Sequence, residues 1–308
     1  MSSRPKIAVV GAGLMGHGIA LTFARCGFSV VLTDPSEIAL ATAHDRIAES
    51  LRLLGIDGAV LTQALQNVST TEKLPDAVAN ATFIIEAAPE KLQLKQVLFS
   101  QIEEHAPAEA ILASNTSVIP ITKIMDHLKT KERAVGTHWW NPPHMIPLVE
   151  VIKTKWSSPA AAEAMFAVLK KAGKTPVMVE KDVPGFIGNR LQHALWREAI
   201  SLVENGICTA EAVDDVVKAS FGRRLAVLGP MENADLVGIE LTQDIHAQVL
   251  ADLETRPDPS PYLQELLDAG RTGMSSGAGF RKWGDSDLAD TKARIAVHLK
   301  KLESILPK

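Results

Sequence analysis

An α/β chain, with a Rossmann-type doubly wound, mainly parallel sheet followed by an all-helical C-terminal domain, is what three features of the sequence predict. The turn Gly11-Ala-Gly13-Leu14-Met15-Gly16 separates the apolar run Ile7-Ala-Val-Val10 from Ile19, Ala20, Phe23 and Ala24, which have helical spacing. Short apolar runs at 29–33, 83–85, 110–113, 134–137, 148–152 and 176–179 follow, with helical patterns between several of them. From about residue 186 onward the period is helical, without strand alternation.

The elements follow in order. The first run, the glycine turn and the residues after it read as strand, tight turn and helix. The second run ends at Asp34, and 36–68 reads as helices broken at Gly55 to Gly58, an insertion longer than a plain crossover. Asp182-Val-Pro184-Gly185 marks a linker near 181–185, which divides a domain over 1–183 from one over 184–308. Beyond it, Ile187, Leu191, Leu195 and Leu202 lie on one face of a long helix stopped at Glu204-Asn205-Gly206. Thr209 suits the cap of the next helix, which carries Val213, Val216 and Val217, and the tail 285–308 is amphipathic and charged.

A chain of 308 residues exceeds the usual size of one core. With 46% apolar and 22% charged residues it has an ordinary globular composition, and no apolar run approaches membrane-spanning length. A net charge of −4 without a basic cluster argues against nucleic-acid and membrane-surface partners. Cys26 and Cys208 lie outside any paired spacing, so neither a disulfide framework nor a metal site is expected. The N-terminus leads directly into strand-like sequence with no apolar signal segment, and the expected compartment is the cytoplasm.

The chemistry starts at the glycines. Gly11, Gly13 and Gly16 allow the turn, a close approach of a diphosphate and tight helix-on-strand packing, while the helix N-terminus favours an anion. Asp34, about twenty residues on, is placed to accept from ribose hydroxyls and to repel a 2′-phosphate, which favours NAD over NADP. His17 beside the turn reads as a helix-surface residue. Downstream, His138 and Glu150 bracket His-Trp-Trp-Asn141-Pro-Pro-His-Met-Ile-Pro-Leu-Val-Glu. A histidine oriented by a carboxylate can take the proton of an alcohol as its hydride leaves. Ser117 ends a Ser114-Asn115-Thr-Ser loop after an apolar strand, at a carboxyl strand end where α/β sheets bind ligands. Trp139 and Trp140 read as packing residues, and His144 either lines the site or merely occupies the loop.

Together these motifs resemble the L-3-hydroxyacyl-CoA dehydrogenase family through nearly the whole chain. The likeness is carried by Val10 to Gly16, Glu86-Ala-Ala-Pro-Glu90 with Lys95, Ser114 to Ser117, His138 to Glu150, and Lys181-Asp-Val-Pro-Gly-Phe-Ile-Gly-Asn-Arg190. The resemblance implies that His138 is the general base and Glu150 its partner, and that Ser117 and Asn189 contact the reacting oxygen and the base. It implies that Glu90 and Lys95 lie along the nicotinamide ribose of bound NAD, and that Leu14, Met15, Asn115 and Asn141 belong to the cofactor-binding segments. It also implies a homodimer through the second domain.

The substrate is less constrained. His138-Trp-Trp replaces the usual His-Phe-Phe, and Asn141-Pro-Pro143 with Ile146-Pro-Leu-Val-Glu150 looks more like the L-gulonate 3-dehydrogenase (lambda-crystallin) branch, which takes free acids. The segment Gly222-Arg-Arg-Leu-Ala-Val-Leu-Gly-Pro230 is similar to the same branch, and there Arg224 is a candidate for a substrate carboxylate. Some bacterial relatives with similar segments oxidise pyridine-ring substrates. Residues 35–80 hold Arg46, Arg52 and Lys73 against Glu37, Asp45, Glu49, Asp57, Glu72 and Asp76, a poor surface for the phosphates of CoA. The expectation is NAD-dependent oxidation of an alcohol β to a carboxyl or thioester. A small 3-hydroxy acid is the leading substrate and a 3-hydroxyacyl-CoA the alternative. A non-catalytic NAD-binding structural protein is a third reading, and the intact His138, Glu150, Ser117 and Asn189 speak against it.

Overall fold

A computed structural model describes residues 4–306, and the chain divides into two compact units after Arg190. The first unit is built on eight strands: β1 (Ile7–Val10), β2 (Val30–Thr33), β3 (Val68–Thr71), β4 (Phe83–Glu86), β5 (Ile111–Ser114), β6 (Ala134–Trp139), β7 (Leu148–Lys153) and β8 (Thr175–Val179). Their order in the sheet is β3-β2-β1-β4-β5-β6-β7-β8, and every neighbouring pair is parallel except β6 with β7. The order reverses next to β1, which puts the ends of β1 and β4 at the switch point where open sheets bind ligands.

The helices of this unit are α1 (Leu14–Ala24), α2 (Glu37–Ala41), α3 (Ala43–Leu53), α4 (Gly58–Gln66), α5 (Leu74–Val78), α6 (Leu92–His105), α7 (Ile121–Met125) and α8 (Pro159–Lys171). Strand alternation sends Ile7 and Val9 into a core shared with α1, α3 and α8. Ala8 and Val10 enter a second core with α5, α6 and α7 on the opposite face. With both faces covered, β1, β4 and β5 are buried along their whole length, which is why they read in sequence as continuous apolar runs.

Three features depart from the sequence reading. β3, Val-Ser-Thr-Thr, lies at the sheet edge with only Val68 buried, so it has no apolar run to betray it. The insertion over 36–68 holds three helices, because the chain breaks at Thr42 as well as at Gly55 to Gly58. His17 is a correction: it is buried, not on a helix surface, and its Nδ1 lies 2.9 Å from the Gly13 carbonyl. The reason is that α1 is covered on all sides from Gly16 to Ala24, and at Gly18 a Cβ would come within 2.6 Å of the Pro143 ring.

The first unit continues past the linker at 181–185 because residues 186–189 are tied back to it, as described below. α9 (Gly188–Glu204) carries the chain onward and ends before Gly206, whose φ of +67° is the left-handed stop expected there. The second unit holds α10 (Ala210–Ala219), α11 (Pro230–Val237), α12 (Ile239–Val249), α13 (Pro261–Asp268) and α14 (Asp287–Ile305). Thr209 caps α10 by accepting from the Ala212 N–H at 3.2 Å. Arg281 donates to Asp214 at 2.8 Å and stacks on Trp283. No helix among the described residues is long and apolar enough to cross a membrane.

Candidate active site

The glycine turn is forced at two positions and open at the third. Gly11 has φ +107°, and a Cβ there would lie 2.7 Å from the Ala87 carbonyl oxygen. At Gly16 a Cβ would stand 1.6 Å from the Gly11 carbonyl oxygen, so α1 can approach β1 only through a glycine. Nothing in the protein explains Gly13: its φ is −71° and a Cβ would meet nothing within 4 Å. The open space there lies before the N-terminus of α1, whose first N–H groups have no partner within the helix, and this is what a diphosphate needs. Leu14, 65% exposed, and the half-buried Met15 flank it.

Asp34 follows β2 and is half-buried, accepting from the Ala12 N–H at 2.7 Å and the Ser36 N–H at 2.8 Å. Its carboxylate is held at the edge of the turn with lone pairs to spare for hydroxyls. Arg46 of α3 donates to the Ala12 and Ala39 carbonyls, both at 2.7 Å, and so braces the turn from behind. These residues fit a dinucleotide.

His138 and Glu150 face each other directly across the antiparallel pair β6 and β7. Their 12-residue separation is thus the geometry of a hairpin, and His138 Nδ1 lies 2.6 Å from Glu150 Oε2. The other carboxylate oxygen accepts from the N–H groups of Ile187 at 2.8 Å and Gly188 at 3.0 Å. Burial alone would raise the Glu150 pKa; the hydrogen bonds from His138, Gly188 and Ile187 outweigh it and hold the carboxyl below its ordinary value. Glu150 is therefore an anion beside the ring. An accepting carboxylate places the proton on Nδ1 and leaves a lone pair on Nε2.

The ring is wedged between Trp140 at 5.3 Å and Phe186 at 5.5 Å. Phe186 is in the left-handed region at φ 51°, a conformation that costs about 1–3 kcal/mol in a non-glycine residue. Gly188 must be small, since a Cβ would meet Trp140 at 2.4 Å.

The strand-end loop after β5 is gripped from two sides. Glu90 Oε1 accepts from the Thr116 hydroxyl at 2.5 Å and from the N–H groups of Ser117 at 2.9 Å and Val118 at 3.2 Å. Burial raises its pKa, but these bonds and the charge of Lys95 lower it further, leaving it below the ordinary carboxylate value. From the other side Asn189 donates to the Ser117 carbonyl at 2.8 Å. The Ser117 backbone thus joins Asn189 to Glu90, Asn189 directly follows the Gly188 whose N–H Glu150 accepts, and Ser117 itself is exposed.

Asn115 is engaged differently: its Oδ1 accepts from the Trp139 N–H at 3.0 Å, pinning the end of β6 next to His138. Asn141 is exposed in the loop after β6. Lys95 is 1% exposed, and its ammonium meets Glu86 at 2.6 Å and the Ala88 carbonyl at 3.2 Å, so of the pair Glu90 and Lys95 only Glu90 reaches the surface. Arg224 is an exposed residue of the second unit.

Sequence reasoning passed over Glu86, Arg46 and Phe186. Only Glu86 left a signal, a lone acid closing an apolar run. Of the two tryptophans, Trp139 is a core residue, 2% exposed and packed on Phe23.

His144 is buried in the loop that covers α1. Burial, with the charges of His17, Lys174 and Arg25, pushes its pKa down to about 4. The folded protein therefore refuses a proton that the unfolded chain accepts below its ordinary value of 6.5. Stability is lost as pH falls from 6.5 towards 4, by roughly 3 kcal/mol for such a shift. His144→Phe should flatten the dependence of Tm on pH across that window. An equally steep fall in the variant would show that the loss comes from other groups.

The family model described as 3-hydroxyacyl-CoA dehydrogenase, NAD binding domain, matches residues 6–183, and the C-terminal domain of the same enzymes matches 185–283. The chain belongs to the 3-hydroxyacyl-CoA dehydrogenase family. Among its relatives, 5-formyl-3-hydroxy-2-methylpyridine 4-carboxylate 5-dehydrogenase of Mesorhizobium japonicum is 38% identical over 275 residues, 89% of each chain. The mitochondrial hydroxyacyl-coenzyme A dehydrogenase of Homo sapiens is 35% identical over 291 residues, 90% of each. A crystal structure of 5-formyl-3-hydroxy-2-methylpyridine 4-carboxylic acid 5-dehydrogenase, an NAD+-dependent dismutase, superimposes with a TM-score of 0.90 at 35% identity, covering 98% of both chains. This family member is accordingly an NAD-dependent dehydrogenase acting on hydroxyl groups.

Proposed function

We propose that the protein oxidises a secondary alcohol β to the carboxyl group of a small free acid, with His138 as general base and Glu150 as its partner. The observation that carries this reading is the 2.6 Å contact of His138 Nδ1 with a Glu150 carboxylate whose second oxygen is fixed by two backbone N–H groups. Such a carboxylate orients the ring, keeps Nε2 free to accept the hydroxyl proton and stabilises the imidazolium that results. Bound NAD supplies the hydride acceptor. The turn at Gly13 would hold its diphosphate, Asp34 a ribose, and Glu90 the part that lies over β4 and β5. Ser117 is positioned by Glu90 and Asn189 to hydrogen-bond the reacting oxygen. In the reverse reduction His138 returns the proton.

A free acid is favoured over a CoA thioester on charge. In the insertion after β2, Arg46 is already committed to the carbonyls of the glycine turn. Over residues 35–80 that leaves Arg52 and Lys73 against six acidic residues, a weak seat for the CoA phosphates. The M. japonicum relative, whose name specifies a ring carboxylate, points the same way. The thioester remains the second reading because the human relative acts on hydroxyacyl-CoA and aligns over as much of the chain.

NADH formation with 3-hydroxy acids, each beside its own CoA thioester, decides between them. The free acids should show the higher kcat/KM, and Arg224→Ala should raise their KM with kcat nearly unchanged. Faster thioesters, with KM unmoved in Arg224→Ala, would transfer the assignment to CoA substrates.

We further infer a homodimer through the second unit. Val227, Met231, Leu236, Ile239 and Leu241 are each more than half exposed there, apolar side chains that a second copy would cover. Light scattering at micromolar concentration should give twice the chain mass of 33.1 kDa, and a monomeric mass would refute the dimer.

A further inference from the structure

The most deeply buried acid of the site has no place in the proton chemistry. Glu86 ends β4 with no exposed surface. Its Oε1 accepts from Lys95 Nζ at 2.6 Å and the Ala88 N–H at 2.7 Å, and its Oε2 accepts from the Ser114 hydroxyl at 2.5 Å. Lys95, 1% exposed, also lies 3.3 Å from Glu90 Oε2. Glu86 alone would neutralise Lys95. The second carboxylate leaves the cluster with one uncompensated negative charge, and Glu90, 37% exposed, is the member that presents it to the surface.

That charge sits at a defined place in the fold. Asp34 follows β2, the glycine turn follows β1, Glu86 ends β4 with Glu90 just beyond it, and Ser117 follows β5, so these groups line successive carboxyl ends of parallel strands. A dinucleotide with its diphosphate at α1 and one ribose at Asp34 must direct its other half over β4 and β5. The nicotinamide in that half is positively charged when oxidised and neutral when reduced.

We propose that the Glu86–Lys95–Glu90 cluster discriminates between the two redox forms of the cofactor, its net negative charge holding NAD+ more tightly than NADH, with Glu86 as the positioning residue that sets the balance. This rests on the cofactor placement given under the proposed function. Glu86 acts in two ways: it fixes Lys95 beneath Glu90, and it cancels the lysine so that the charge of Glu90 is not silenced. A site that prefers NAD+ makes the bound couple more reducing than the free one.

Direct binding of NAD+ and NADH to the full chain, measured by calorimetry, tests this. Glu86→Gln is isosteric and can keep the Ala88 and Ser114 contacts while removing the charge. The two redox forms share diphosphate and riboses, so any general damage to the site cancels in the ratio of their Kd values. The ratio Kd(NADH)/Kd(NAD+) should fall about three- to tenfold in Glu86→Gln, the size expected of one charge acting across several ångströms near a protein surface. Glu90→Gln, which leaves Lys95 paired with Glu86, should shift the ratio in the same direction even if Glu86→Gln does not fold. Glu103→Gln, which alters a carboxylate serving the loop at 129–130, should leave it unchanged. Equal weakening of both forms, with the parent ratio retained in Glu86→Gln and Glu90→Gln, would mark the cluster as merely structural and overturn the proposal. Failure of the parent to bind either form would instead remove the cofactor placement itself, and the proposal with it.

Discussion

His138→Gln is expected to lower kcat by about 10²- to 10⁴-fold, the usual contribution of a positioned general base, while NAD binds within a few-fold of the parent. The separation of effects follows from the fold: His138 is on β6, whereas the glycine turn and Asp34 follow β1 and β2. Glu150→Gln should be nearly as damaging for a different reason. Its amide oxygen would keep the Ile187 and Gly188 N–H groups, which turns its NH₂ toward His138 Nδ1. A donor in that position demands an acceptor, so the ring would carry its proton on Nε2, the nitrogen that must be free for the substrate. Steady-state kinetics beside calorimetric NAD titration measures both effects, and a kcat within a few-fold of the parent in either variant would remove the pair from the mechanism.

Gly16→Ala should abolish useful cofactor binding, raising the Kd for NAD by roughly 100-fold or more and lowering Tm. A methyl group 1.6 Å from the Gly11 carbonyl oxygen cannot be relieved by side-chain movement, since the colliding atom is backbone. Either α1 lifts from β1 or the turn reshapes, and the diphosphate cradle is lost in both cases. Gly13→Ala provides the contrast. Its methyl would point into open space, so Tm should hold near the parent value while NAD affinity falls, because the methyl occupies the approach to the helix N-terminus. Calorimetry and thermal unfolding on the two variants separate a glycine needed by the fold from one needed by the ligand. Parent-like NAD affinity in Gly13→Ala would displace the diphosphate from this turn.

The parallel core was legible because β1, β4 and β5 are buried on both faces and are apolar up to the Glu86 and Ser114 that end β4 and β5. β3 was not, because an edge strand with three of its four residues outside the core needs no such pattern. The site was legible where a residue type answers to chemistry: glycines at a turn, an acid at the second strand end, a histidine with a carboxylate twelve residues on. Sequence spacing alone did not say that those twelve residues are a hairpin bringing His138 opposite Glu150. Residues that act by holding others left little trace. Arg46 looked like one more surface cation of the insertion, yet it braces the glycine turn. Phe186 looked like an ordinary aromatic, yet its left-handed backbone seats the ring against His138. The burial of His17 and His144 depends on a loop from residue 142 onward folding over α1, a contact between segments more than a hundred residues apart.

The pH profile of kcat/KM for alcohol oxidation, compared between the parent and His138→Gln, tests the proton step most directly. A base that must be unprotonated gives the parent an acid limb in which the rate falls as the ring takes up a proton. In His138→Gln that limb should vanish, leaving a low rate that is flat over the same range. An acid limb of unchanged position and slope in the variant would show that another group takes the proton, and would contradict the assignment of His138 as the base.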